Sequence, residues 1–301
     1  MSLISLLIAL AAERYLSAPV WQFNFYYKHY LGIFNRIPLL GKVGTSSLSN
    51  IAFIAIPVVA CYLVLGLFED GILYLIASTL VLIVCFGCIH TRNYFKQYLL
   101  AAFRGDTTAC ELHHLQLIQD KKLPDMGFGQ SLVWLNYRYF IAIMIFFVLF
   151  GAPGALAYRL LTKITENNVI SDDEKETMNV DSESTQDEDV AESVEDEFDD
   201  VNNISQQMLF WLDWLPVRAV AFCYMLVGHF SKAMPVWLED FFDVDKQAYV
   251  LLTNVAQASE DFMIDTGDCT AEPCILVRLA KRTLLLCLAI IAVLILTGVL
   301  S

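Results

Sequence analysis

The sequence lacks the short motifs that mark nucleotide-binding loops, zinc proteases and serine hydrolases. No G-x-x-x-x-G-K-[ST], G-x-G-x-x-G, H-E-x-x-H or G-x-S-x-G is present. His113 and His114, with Glu111 and His90, are spaced too loosely for a zinc site, so we interpret them as surface side chains. The eight cysteines follow no disulfide framework spacing. We therefore predict no cofactor, no metal site and no catalytic residue.

Acidic and basic residues balance each other everywhere except in one segment. The net charge of -14 comes from residues 171–201, which hold 15 acidic residues and one base, whereas the remainder has 18 acids and 18 bases. Such a block repels itself and has little apolar surface to bury, so we predict an acidic disordered loop over residues 166–204. A divalent-cation sponge or a docking tail is the alternative, but the ordered D-x-D-x-D-G spacing of a calcium loop is missing.

Long apolar runs are what the sequence has in abundance. Hydrophobic residues make up 57% of the chain, and four uncharged runs, 51–68, 72–89, 139–158 and 283–301, each match a bilayer in length as a helix. Backbone groups in hydrocarbon must bond within the segment, and the runs show no alternating pattern. We predict an all-α, polytopic helical membrane bundle, with an N-terminal part (1–165), the acidic loop and a C-terminal part (205–301).

The distribution of bases predicts an orientation for the first helical hairpin. Four bases and many aromatic residues, without an acid, lie from Arg14 to Lys42, which is typical of an interfacial helix at an anionic lipid surface. The turn at residues 69–71 carries only acids, so its basic flanks are predicted to face the cytoplasm. Topology after residue 140 stays open, because either a semi-polar segment at 209–230 crosses or the helix at 139–161 is re-entrant.

Two motifs place charges beside apolar residues, where a charge costs several kcal/mol unless it finds a partner or water. The motif W-L-N-Y-R-Y sets Asn136 and Arg138 at the mouth of a span. In L-D-W-L-P-V-R, Pro216 fits the first turn of a helix that Asp213 could cap, and Arg218 follows. Snorkelling of these side chains to the interface is one interpretation, and a ligand- or partner-binding cavity is the other.

The second motif resembles the signature of the AmpE family, bacterial inner-membrane proteins whose gene accompanies the AmpD amidase. After L-D-W-L-P-V-R come Tyr224, Gly228-His229, Pro235 and Trp237 in similar order. The resemblance implies a non-catalytic, multi-pass sensor or signalling modulator of the bacterial inner membrane. Its implied partners are the lipid bilayer and a component of cell-wall recycling or β-lactamase regulation. No nucleic acid is implied, and the oligomeric state stays open.

The AmpE family in turn resembles, distantly, the CbiB/CobD cobalamin synthases. Residues 150–159 are similar to the G-x-P-G…Y-[KR] helix of these membrane enzymes, Asp106 to part of their G-R-D-T, and residues 216–218 to their P-A-R. However, Gln130, Trp134 and Arg138 occupy the positions of three synthase carboxylates. Carboxylates suit the acid–base or metal chemistry of amide formation, so their replacement implies that this chain is not an enzyme.

An alternative is a membrane enzyme or transporter that uses a residual polar cavity. Four charged side chains, Asp106, Arg138, Arg159 and Arg218, would then hold an anionic ligand through charge-assisted contacts. On sequence grounds the counter-charge of Arg218 is Asp106 or Asp213. The candidate ligand- or partner-binding residues are Asp106, Asn136, Arg138, Arg159, Asp213, Trp214, Arg218 and His229.

Overall fold

The computed structural model describes residues 2–13, 15–16, 21–36, 47–68, 71–87, 89–178, 188–261 and 270–299. All regular structure in these ranges is helical, which confirms the predicted all-α class. The α-helices are α1 (Ser2–Glu13), α2 (Phe23–Phe34), α3 (Ser47–Gly66), α4 (Ile72–Cys85), α5 (Ile89–Phe103), α6 (Thr107–Lys121), α7 (Phe128–Asn136), α8 (Ala142–Met178), α9 (Glu188–Val227), α10 (Phe230–Phe241), α11 (Ala248–Ala258) and α12 (Ala271–Leu296). A π-helical turn, Tyr137–Ile141, joins α7 to α8.

Four helical stretches are long and apolar enough to cross a membrane. They are Ser49–Gly66, Phe128–Asn167, Ile204–Val227 and Ala271–Leu296, and the bent pair Ile72–Cys85 and His90–Phe103 could supply a fifth. The chain is thus a polytopic membrane protein, as predicted. The stretch Ile204–Val227 falls where the sequence suggested an additional crossing at 209–230.

The boundaries of three predicted spans need correction. The run 72–89 yields α4, whose 14 residues end at Cys85 and are too few to cross alone. The run 139–158 is part of a 40-residue helical stretch, and the run 283–301 overlaps the helix Ala271–Leu296. In the last two cases polar or charged side chains within the helix hide its true beginning from a search for uncharged runs.

A break divides the 40-residue stretch. Gly151 has a φ of 71° and a ψ of −166°, which a residue with a side chain adopts only under strain, and Pro153 follows inside the helix. The break lies where the chain passes from one compact unit to the other. Unit 1 comprises Met1–Cys85 and Phe150–Trp211, and unit 2 comprises Phe86–Leu149 and Leu212–Ser301.

The acidic segment lies mostly outside what the structure describes. The backbone of α8 extends to Met178 and that of α9 begins at Glu188, residues 179–187 are outside the described ranges, and the side chains of 168–203 are likewise not described. The disorder of this segment and the three-part division of the chain stay predictions.

Candidate functional site

The π-helical turn carries the first charged motif. Trp134 and Asn136 are in α7, and Arg138 is in the turn, so the motif lies inside a continuous helical stretch beginning at Phe128. That Asn136 and Arg138 lie at the mouth of a span stays a prediction, because the 40-residue stretch is longer than one crossing. Single π-helical turns occur frequently at functional sites, because the extra residue redirects the side chains that follow it.

Aromatic rings hold this turn from within unit 2. The rings of Trp134 and Tyr137 are stacked, with centroids 5.3 Å apart and an interplanar angle of 25°. The guanidinium of Arg138 lies 5.3 Å from the Trp134 ring centroid, within the range of a cation–π interaction. Tyr249 of α11 meets the Trp134 ring edge-on at 6.2 Å. The turn is thus packed against α11 through Trp134.

A buried hydrogen bond connects the turn to α9. The hydroxyl of Tyr137 donates to Oδ1 of Asp213 at 2.7 Å, and the two residues are 0% and 2% exposed. Bonds to an ionised acceptor are among the stronger protein hydrogen bonds. Asp213 and Pro216 lie inside α9, which begins at Glu188, so the prediction that Asp213 caps a helix starting near Pro216 is wrong.

Arg218 is the largest fully buried side chain in the described part of the protein, at 1% exposure. Its Nη1 donates to the Trp214 carbonyl one turn earlier in α9 at 3.0 Å. Its Nε donates to the carbonyl of Phe241 at 3.0 Å, and its Nη2 to the carbonyl of Asp243 at 2.6 Å. The guanidinium carbon also lies 4.2 Å from the centroid of the Trp214 ring. The last residue of α10 and the loop after it therefore supply two of the three acceptors.

The structure gives Arg218 partners that the sequence did not predict. Its guanidinium binds backbone carbonyls, while Asp213 accepts a hydrogen bond from Tyr137 and Asp106 caps another helix. The carboxylates that act electrostatically on Arg218 are those of Asp240 and Asp243. A buried cation still needs compensating charge and filled hydrogen bonds, and here two different groups supply them.

α10 holds the acceptors of Arg218 in place. The indole Nε1 of Trp237 donates to the Arg218 carbonyl at 3.2 Å, and the Trp237 ring packs on Phe241 with centroids 4.7 Å apart. Lys246 forms an ion pair with the buried carboxylate of Asp240. Sequence reasoning missed Asp240 and Lys246, because neither lies in an apolar run, although an acid within the aromatic sequence after Trp237 was a usable signal.

We call this assembly the arginine site. It comprises side chains of α7, the π-helical turn, α9, α10 and the loop after α10, all in unit 2: Trp134, Asn136, Tyr137, Arg138, Asp213, Trp214, Arg218, Trp237, Asp240 and Asp243. Two of its buried polar atoms, Oδ1 of Asn136 and Nε1 of Trp214, have no hydrogen-bond partner among the described residues. In the described ranges, no three His, Cys, Asp or Glu residues are grouped as metal ligands.

Two other predicted residues, Asp106 and Arg159, have contacts that differ from those of the arginine site. Asp106 is exposed, and its carboxylate accepts a hydrogen bond from the Ala109 amide at 3.0 Å, which caps the N-terminus of α6. Arg159 is buried in unit 1, with its guanidinium 5.2 Å from the Phe23 ring centroid. Sequence reasoning could not foresee this contact, because 136 residues separate the two partners along the chain.

His229 lies in the turn from α9 to α10. Its backbone amide donates to the Ser259 carbonyl at 2.7 Å, and its ring Nε2 lies 3.8 Å from a carboxylate oxygen of Asp261. The side chain is about half exposed. Lys232, which hydrogen bonds to Asp261, holds the pKa of that carboxyl below its ordinary value. This surface cluster joins the turn to the end of α11 and is separate from the arginine site's hydrogen bonds.

Comparison with known proteins gives one family and one curated relative. A family model described as "Regulatory signalling modulator protein AmpE" matches residues 1–166 and 196–301. Protein AmpE of Shigella flexneri is 25% identical over 256 residues, which are 77% of this chain and 78% of that protein. No solved structure matches. The stretch that the family model leaves out lies almost wholly in the acidic segment.

Proposed function

The chain belongs to the AmpE family, and from this membership we propose that it is a non-catalytic signalling modulator of a bacterial inner membrane. In this proposal it acts in β-lactamase induction and cell-wall recycling, together with a regulatory component of that system. The family match is the observation that carries the proposal, because it extends over both flanks of the acidic segment. The four candidate spans agree with a multi-pass location.

The arginine site supports a modulating role. Its guanidinium is held by carbonyls at the end of α10, so a displacement of α10 would leave a buried cation short of acceptors. Such a site favours discrete arrangements over gradual movement, which is what a signalling element requires. A partner that binds one arrangement better would shift the population toward it.

We also propose a distant common origin with the CbiB/CobD synthases, with loss of their chemistry. The three positions where the resemblance places synthase carboxylates have structural contacts in this chain. Oε1 of Gln130 accepts a hydrogen bond from the Gly127 amide at 2.8 Å, which caps α7, while Trp134 and Arg138 stack on each other. These contacts support a scaffold role for positions that would otherwise bear acid–base groups.

Complementation of a deletion strain tests the proposed function. Cells that lack the gene should show altered β-lactamase induction by a cell-wall antibiotic, and the wild-type gene should restore it. Asp213→Asn and Arg218→Lys should restore it poorly at equal membrane abundance, because each weakens the arginine site. Arg104→Lys, at an exposed position, is the matched control and should behave as wild type. Unchanged induction in the deletion strain would refute the proposal.

A further inference from the structure

One face of α2 forms the aromatic core of unit 1. Phe23, Tyr27 and Phe34 are buried against Phe53 of α3 and against Leu160 and Ile164 of α8. The Phe53 ring meets Tyr27 at 5.7 Å and Phe34 at 5.1 Å, nearly perpendicular in the latter case. This packing fixes α2 sideways against two helices that carry candidate spans.

Two hydrogen bonds also fix the position of α2 along the lengths of α3 and α8. The Tyr30 hydroxyl donates to the Phe53 carbonyl at 3.0 Å, and Phe53 lies near the beginning of the span Ser49–Gly66. At the other contact, Nδ2 of Asn167 donates to the Tyr27 hydroxyl at 3.0 Å, and Asn167 directly follows the ion pair of Lys163 and Glu166, where the apolar part of α8 gives way to polar residues. Since α2 lies beside the polar ends of two apolar helical stretches, we expect it where hydrocarbon gives way to lipid headgroups.

The remaining surface of α2 has an apolar flank and a basic face. Tyr26 and Ile33, seven residues apart and thus on one side of the helix, are 44% and 48% exposed. Lys28 is exposed on α2, one helical turn before the exposed Gly32, and Arg36 is exposed in the turn that follows the end of α2 at Phe34. Residues 21–36 contain no acid. No charge within this segment therefore neutralises its two cations.

We propose that α2 is an interfacial helix that binds anionic lipid headgroups of the bilayer in which the spans lie. Lys28 and Arg36 make the electrostatic contact, and Tyr26 and Ile33 lie in the boundary between headgroups and acyl chains. The amphipathic flank places the helix at the interface, and the two cations select phosphatidylglycerol over a zwitterionic lipid. This inference does not depend on the proposed signalling role.

A fluorophore on α2 tests the proposal in the full-length protein. Gly32→Cys is a suitable attachment site, because a Cβ there meets nothing within 4 Å. The labelled protein is placed in nanodiscs that contain phosphatidylcholine or phosphatidylglycerol with a nitroxide near the headgroup, and quenching gives the relative association of the two lipids with α2. Wild-type protein taken through the same labelling gives the background from native cysteines.

We expect phosphatidylglycerol to associate several-fold more strongly than phosphatidylcholine. The preference should fall close to one in the double variant Lys28→Gln/Arg36→Gln and in 1 M salt, where the Debye length is about 3 Å. It should persist in Lys28→Arg/Arg36→Lys, which keeps both charges, and in Arg104→Gln, which removes an exposed cation elsewhere. Equal association of both lipids in the starting protein, a preference that survives the double neutralisation, or a label that neither lipid quenches would each overturn the proposal.

Discussion

A buried guanidinium must satisfy its donors without water, and Arg218 does so almost wholly with backbone carbonyls. The sequence singled out Asp213, Trp214 and Arg218 as one motif, but it did not predict that α9 holds all three within its interior. The acceptors at Phe241 and Asp243 could not be predicted, since every residue carries a carbonyl and only the fold selects two of them.

Replacement of Arg218 tests how much these bonds contribute. Arg218→Ala should lower the free energy of unfolding in detergent by about 3 kcal/mol or more, because it removes charge-assisted bonds and leaves buried carbonyls without donors. Arg218→Lys should cost less than Arg218→Ala, since the ammonium keeps the positive charge. It should still cost something, because it replaces only part of the planar fork of donors. Arg104→Ala should stay within about 0.5 kcal/mol of wild type. If Arg218→Ala were as stable as that control, the arginine site would have no structural role.

Tyr27 gives a pH-dependent test in unit 1. Burial raises the pKa of Tyr27 from 10.0 to about 12, with the hydrogen bond from Asn167 opposing the shift. Because the folded state holds the neutral phenol more firmly than the unfolded state, the stability from this residue is complete below pH 10 and is lost as the pH rises through about 12. The loss should have a slope of at most about 1.4 kcal/mol per pH unit.

An ultraviolet titration of tyrosinate absorbance checks this expectation. The difference between wild type and Tyr27→Phe should show one phenol that ionises near pH 12. A difference curve centred near pH 10 would show that the ring is hydrated and that α2 does not pack on α3 and α8 as described.

The sequence predicted some features of the helices well and others not at all. The span in α3 was predicted closely, because an uncharged apolar run has few alternatives to a helix in hydrocarbon. The π-helical turn Tyr137–Ile141 has no such signature, and its position is fixed by the contacts of Trp134 and Tyr137 after folding. The break at Gly151 had a local signal in Gly-Ala-Pro, but the pattern alone does not separate a kink from the end of a helix.

A glycine in the turn between α9 and α10, Gly228, lets the backbone of this turn approach Ser259 closely. A Cβ on Gly228 would lie 2.3 Å from the Ser259 carbonyl oxygen, so Gly228→Ala must separate α9 and α11. We expect a loss of about 1–3 kcal/mol, as is typical of overpacking. Gly32→Ala in α2 is the matched control, because it meets open space and should gain about 0.5–1 kcal/mol from helix propensity. Equal thermal shifts in the two variants would contradict this packing.

At the scale of the whole molecule, the acidic segment carries the whole net charge and lies mostly outside the family match. Deletion of residues 171–195 should leave membrane insertion and the thermal unfolding midpoint unchanged, because the segment has little apolar surface with which to offset ordering entropy. A variant with the acids of this stretch changed to Gln or Asn is the control for charge alone. Loss of folded protein from the membrane fraction on deletion would show that the segment belongs to the fold.

The distribution of charge and the packing of α2 on α3 both indicate which side of the membrane particular residues face. Acids at the turn before Gly71 and bases on its flanks predict that Gly71 faces the periplasm and Gln119 the cytoplasm. Within unit 1, α2 lies at the end of α3 remote from Gly71, so exposed Asn24 should be on the side opposite Gly71. Single cysteines at these three positions, treated in whole cells with a membrane-impermeant thiol reagent, should therefore be modified only at Gly71.

The same experiment decides the course of the chain after residue 140. The stretch Phe128–Asn167 begins shortly after Gln119 and ends beside Tyr27 of α2, to which Asn167 donates a hydrogen bond. Protection of both Gln119 and Asn24 would mean that this stretch enters and leaves the bilayer on one side. Modification at Asn24 with protection at Gln119 would instead mean one complete crossing, and it would overturn the orientation assigned to α2 from its charges. The predicted result is the first, because basic residues predominate around both Asn24 and Gln119.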